Sequence, residues 1–207
     1  MSYSDFTALQ QLSKKFGIRG EKSDFIEFET VASKKVSERC VLDILESRRI
    51  PSSTEKAKSE MMITPILREL MRQTDWRFNI FSGFSFDVDA ANGLNGVCDY
   101  LLSSDTTAAE ISSPIFCVVE AKNRGIEEGI AQAGAELYAA QIFNESEGKP
   151  SPILYGCVTN AFDWLFLRLE NKILYIDTKR YYIDDATLPK LLGILYFIVE
   201  KHTKAVV

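Results

Sequence analysis

The chain has 207 residues, 46% hydrophobic and 26% charged, with 24 basic against 29 acidic side chains and a net charge of −5. That composition supports one globular domain, 1–207, with a sizeable core, and excludes a disordered chain. The acidic balance also argues against a surface that grips nucleic acid indiscriminately, because phosphate neutralisation by basic residues drives such binding.

No basic start, apolar run and small-residue cleavage pattern opens the sequence, so no secretion signal is expected. The apolar run 191–199 is too short to span a bilayer. A soluble, cytoplasmic protein with no membrane partner is the expectation. Cys40, Cys98, Cys117 and Cys157 are scattered, and His202 is the only histidine. A structural zinc site or a histidine-based triad therefore has too few ligands or bases. Carboxylates, a lysine and hard, oxygen-seeking cations are the remaining tools.

The first third reads as helical. Residues 36–49 place Val36, Cys40, Val41, Ile44 and Leu45 on one stripe. Pro51 interrupts it, and Ser52-Ser53-Thr54-Glu55 matches a capping box opening a helix to about Met71. Pro65 predicts a kink or a restart capped by Thr64. The period then changes. Residues 81–89 alternate as a strand, and 95–104, after an Asn-Gly turn signal, read as its hairpin partner. Residues 114–122 form a third strand, apolar enough to be central. Residues 126–144 follow as a helix with Ile126, Ile130, Ala133, Leu137 and Ala140 inward.

Residues 152–160 read as a buried strand, 163–180 as two strands around a Glu-Asn-Lys turn, and 188–202 as a closing helix. Strand, helix and strand over 114–160 make a crossover unit. The whole is predicted as α/β: a mixed central sheet flanked by helices. Trp76, Trp164 and the thirteen phenylalanines are expected in the core. Lys179-Arg180 beside Tyr181-Tyr182 reads most simply as a strand end with snorkelling bases.

The central strand ends in Glu120-Ala121-Lys122, which puts Glu120 and Lys122 on one face and Ala121 on the other. If strands 95–104 and 114–122 pair, Asp99 lies beside Glu120. Two carboxylates so close repel unless a proton or a divalent cation separates them. Mg²⁺ or Mn²⁺ would resolve the conflict, and Lys122 could hold a water or stabilise charge on a phosphoryl group. Gln132 and Glu136 share a face of the following helix.

Asp99, then Glu120-Ala121-Lys122, then a helix bearing Gln132 resembles the PD-(D/E)XK nuclease superfamily, whose fold is restriction-endonuclease-like. The stretches 59–70 and 155–169 are similar to parts of the nuclease domain of type I restriction R subunits. The likeness covers a nuclease-like core, 52–207, and leaves 1–51 as an N-terminal helical extension. It implies Asp99 and Glu120 as metal ligands, the Ala121 carbonyl as a third, and Glu60 as a contributing helix glutamate. It implies Lys122 as the catalytic lysine and Gln132 as a residue positioning water or substrate. Two departures stand out. Cys98 occupies the motif's proline position, and the helix carries Gln132, Glu136, Tyr138 and Gln141 instead of a clean Gln-x-x-x-Tyr.

The expected function is metal-dependent hydrolysis of nucleic acid, DNA foremost. The alternative is an idle nuclease-fold module used for binding or assembly, as a homo-oligomer or as a subunit of a restriction or defence system.

Overall fold

The computed structural model describes residues 1–184 and 186–203. A mixed sheet of seven strands runs β1-β7-β6-β5-β4-β3-β2. Its members are β1 (Arg19–Ser23), β2 (Asn79–Ser85), β3 (Val97–Ser103), β4 (Ile115–Ala121), β5 (Ile153–Thr159), β6 (Asp163–Glu170) and β7 (Ile173–Tyr182). The helices are α1 (Leu9–Phe16), α2 (Ile26–Thr30), α3 (Glu38–Ser47), α4 (Glu55–Lys58), α5 (Thr64–Gln73), α6 (Ile130–Ser146) and α7 (Leu188–His202). This is the predicted α/β class. β2, β3 and β4 form an antiparallel meander, β4 and β5 pair in parallel around α6, and β6 and β7 close as a hairpin. Asn171 and Lys172 both adopt positive φ at that hairpin's turn, the twist a tight hairpin favours.

Apolar layers cover both faces of the sheet. α3, α5 and α7 bury Ile44, Leu67 and Leu195 on one side, together with Tyr100, Phe116 and Trp164 from the strands. α1 and α6 bury Leu12 and Leu137 on the other, with Leu101, Val118 and Leu167. α6 is buried nearly all round and so shows almost no amphipathic bias. β4 lies between β3 and β5 with every residue buried, which is why it reads as a continuous apolar run. Among the described residues no helix is long and apolar enough to cross a membrane.

The amino-terminal third departs from the helical expectation. β1 pairs in parallel with β7 as an edge strand of polar, largely exposed residues. Its pairing is entirely backbone, so no periodicity announces it. Thr64 does not cap a restart before Pro65. Ile63 and Thr64 stay helical, and a π turn over Ser59–Ile63 leads into α5. Proline has no N–H to give the Met61 carbonyl, and the Ser47 hydroxyl donates to it instead. Trp76 is 58% exposed, not core, because Asp75 and Trp76 both turn left-handed between α5 and β2. Trp164 is fully buried. Phe84 and Phe162 are also partly exposed. Lys179 and Arg180 are ion-paired with Glu29 and Glu127, consistent with a solvated strand end.

Candidate active site

The site forms at the end of β4, where the antiparallel register with β3 sets Tyr100 opposite Val119. One residue further, Asp99 stands opposite Glu120, and Asp99 Oδ2 accepts the Ala121 N–H at 2.8 Å. Glu120 is almost wholly buried, and its Oε1 holds the Lys122 ammonium at 2.7 Å. Lys122 Nζ also donates to Gln132 Oε1 at 2.9 Å, and Gln132 Nε2 donates to Glu136 Oε1 at 3.1 Å. Asp99, Glu120, Lys122 and Gln132 therefore meet, as the sequence expects. Ala121 contributes its N–H to Asp99, while its side chain faces the α5 and α7 layer. Tyr138 lies elsewhere, packed on Phe16, and Gln141 bonds Glu145 at the surface.

A cleft of about 450 Å³ opens beside Asp99, walled by Glu55, Ser59, Glu60, Ser82 and Tyr100. Glu60 thus borders the site, but it is largely exposed and pairs with Lys56 at 3.8 Å. Glu55, which the sequence expectation does not place in the site, is exposed yet tied to it through the backbone. Its Oε1 accepts the Asn123 N–H at 3.1 Å, and its charge bears on both Asp99 and Lys122. Lys58 donates to the Asn123 carbonyl, so α4 holds both backbone polar groups of the residue after Lys122. The capping-box pattern assigns Glu55 to its own helix start. In fact Thr54 caps α4, accepting the Ala57 N–H at 3.1 Å, and Glu55 is left to reach across.

Three carboxyl groups share this interior with one ammonium. Burial raises Asp99, opposed by the Ala121 N–H and Lys122. Burial and the neighbouring Asp99 push Glu120 up to about 8. Burial and Glu120 hold Glu136 well above the usual carboxylate range. Desolvation pulls Lys122 down, but the Glu120 carboxylate outweighs it and Lys122 stays charged. Glu120 Oε2 and Glu136 Oε2 are both buried without a donor.

The donor set suits a hard divalent cation. Asp99 lines the open cleft, and Glu120, opposite it on β4, is buried behind with its Oε2 lacking a partner. Among the described residues no group of three or more His, Cys, Asp or Glu side chains is arranged as a ligand set. Two carboxylates with water completing the shell is a usual arrangement for Mg²⁺.

Gly129 lies directly beneath the lysine. A Cβ there would sit 2.6 Å from Val158 Cγ1 and 3.0 Å from Lys122 Cε. Gly129→Ala is therefore expected to displace the lysine stem and reduce any activity that depends on Lys122. A buried overpacking of this kind also costs about 1–3 kcal/mol of stability. Denaturant unfolding and an activity assay on the same preparation check both effects, and a fully active variant would show that the lysine position is not critical.

No family model matches the chain, and no curated protein does so.

Proposed function

We propose that this chain is a metal-dependent nuclease of the PD-(D/E)XK kind that hydrolyses phosphodiester bonds, with DNA the first substrate to test. The observation that carries this reading is the linkage of Glu120, Lys122 and Gln132 side chain to side chain, beside an Asp99 that the Ala121 N–H holds at the wall of a cleft. Asp99 and Glu120 would hold Mg²⁺ or Mn²⁺, with Glu60 on the wall of the adjoining cleft. Such a cation supplies a water of lowered pKa and polarises the phosphoryl oxygens.

The protein's own contribution centres on Lys122. Its ammonium has three N–H groups, and Glu120 and Gln132 take two of them. The third remains for the attacking water or a non-bridging phosphate oxygen, where a fixed positive charge stabilises developing negative charge. Asp99 is oriented by the Ala121 N–H, so its second oxygen is directed without rotamer search. Glu55 and Lys58 clamp Asn123 and hold the strand end against α4. The reading places the protein in the cytoplasm, with nucleic acid as substrate. Further grip on the polynucleotide would come from a second copy or from subunits of a restriction or defence system.

One feature favours the idle-module alternative. Glu55, Glu60 and Asp99 line the cleft with Lys56 as their cationic neighbour, which is an unwelcoming wall for a phosphate backbone unless a cation is bound. Calorimetric titration with Mn²⁺ decides between the two. Affinity is expected to rise with pH by about tenfold per unit until Glu120 loses its proton near 8, then level off. Glu120→Ala should abolish the binding, and wild type but not the variant should then cut DNA. Absence of Mn²⁺ binding from pH 6 to 9, together with no cleavage of single- or double-stranded DNA or RNA, leaves the idle module.

A further inference from the structure

Glu136 is a completely buried carboxyl, set in α6 among Ala133, Ala135, Leu137 and Ala140, and the chemistry above leaves it without a task. We propose that Glu136 is a positioning residue for Lys122, acting through the polarity of the Gln132 amide. Its effect on turnover rests on the nuclease reading, whereas its effect on the amide does not.

Gln132 and Glu136 are four residues apart on α6, so their side chains rise on one face toward β4. A glutamine amide has an accepting end and a donating end of nearly the same shape. Lys122 can only donate, so productive contact requires Oε1 to face it, as it does at 2.9 Å. Nε2 must then point the other way into a dry interior, where an unmet N–H is costly. The group waiting there is Glu136 Oε1, at 3.1 Å. With the amide flipped, Nε2 would confront the ammonium and Oε1 would confront the carboxyl oxygen. The Lys122 contact would be lost, and the Glu136 contact would survive only with a proton placed on Glu136 Oε1. Glu136 therefore selects the amide orientation that accepts from Lys122.

The consequence reaches the ammonium. Glu120 Oε1 and Gln132 Oε1 each fix one N–H, and the tetrahedral nitrogen then determines where the third points. The side chains of Glu120, Lys122, Gln132 and Glu136 are thus joined in one chain of polar contacts. A glutamine in place of Glu136 keeps that chain intact, because its carbonyl still accepts from Gln132 Nε2. A leucine of similar bulk keeps the packing but offers no acceptor.

The test uses the full chain as wild type, Glu136→Gln and Glu136→Leu. Glu136→Met, whose unbranched stem follows a glutamate path, replaces the leucine variant if that one does not fold. The first readout is the Gln132 side-chain amide resonance, followed for protection from solvent exchange. It should be protected in wild type and Glu136→Gln, and exchange fast or broaden in Glu136→Leu. The second is cleavage. Glu136→Leu should lose kcat by about 10–100-fold with KM little changed, the usual scale for a residue that orients a reacting one. Glu136→Gln should restore most of the loss, which a purely space-filling role would not require.

Retention of the protected amide in the folded leucine variant overturns the proposal, and so does its loss in the glutamine variant. A wild type that cuts no nucleic acid removes the nuclease reading instead, and the amide resonances then still decide whether Glu136 sets the amide.

Discussion

Replacing Lys122 by methionine is expected to lower nucleic-acid cleavage by about 10²–10⁴-fold, the range for a positioned proton-handling group. Methionine keeps most of the stem's length and bulk but has no ammonium, so packing beside Gly129 and Val158 changes little. What disappears is the charge between Glu120 Oε1 and Gln132 Oε1, both of which lose their donor. The loss also acts on Glu120. Lys122 is the neighbour that pulls this carboxyl's pKa down against burial and Asp99. Without it, Glu120 gives up its proton at higher pH, and Mn²⁺ binding in Lys122→Met should shift to higher pH than in wild type without being abolished. Calorimetry and single-turnover cleavage on the same variant separate the two effects. Methionine with wild-type turnover would remove Lys122 from the chemistry and leave it as a counter-charge for the buried carboxylates.

Phe28→Ala carries the largest expected stability loss, about 3–5 kcal/mol. Phe28 is fully buried on α2 and meets Phe25, Phe166 and Phe197 edge to face at 5.3, 5.3 and 5.9 Å. Those rings come from the residue that precedes α2, from β6 and from α7, so the side chain joins the amino-terminal segment to the sheet and to the closing helix. Truncation to alanine leaves a void walled by rigid aromatics that cannot collapse into it. Urea unfolding followed by fluorescence, using buried Trp164, measures the change. A loss below about 1 kcal/mol would mean that residues 1–51 unfold apart from the rest. The opposite is expected, since Tyr3, Phe6, Leu12 and Ile18 are buried in the layer on the other side of the sheet. The Tyr3 hydroxyl also donates to the Phe86 carbonyl at 2.7 Å.

The amino-terminal segment is also where the sequence was least legible. β1 contains Arg19, Gly20, Glu21, Lys22 and Ser23, all polar or small, and none buried. An edge strand held by main-chain hydrogen bonds to β7 leaves no trace in hydrophobic spacing. The buried strands behave differently. β4, β5 and β6 lose nearly every side chain to the interior, and such burial must appear in the sequence as a run of apolar residues. Glu120 and Lys122 stood out for the same reason, as charges closing a run that is otherwise apolar.

Strand alternation by itself put Glu120 and Lys122 on one face, and helical spacing put Gln132 and Glu136 on one stripe. Those are local periodicities, repeating within a few residues, and a chain cannot form the element without obeying them. The tertiary structure decided which of these faces met. It set α6 over β4 so that Gln132 reaches Lys122, buried Glu136 completely, and brought Glu55 from α4 to the backbone of Asn123. Contacts between residues 68 apart in sequence, like that of Glu55 with Asn123, depend on how whole layers pack. No local spacing encodes them, so Asp99, Glu120, Lys122 and Gln132 could be named as candidates from the chain, whereas the burial of Glu136 and the reach of Glu55 could not.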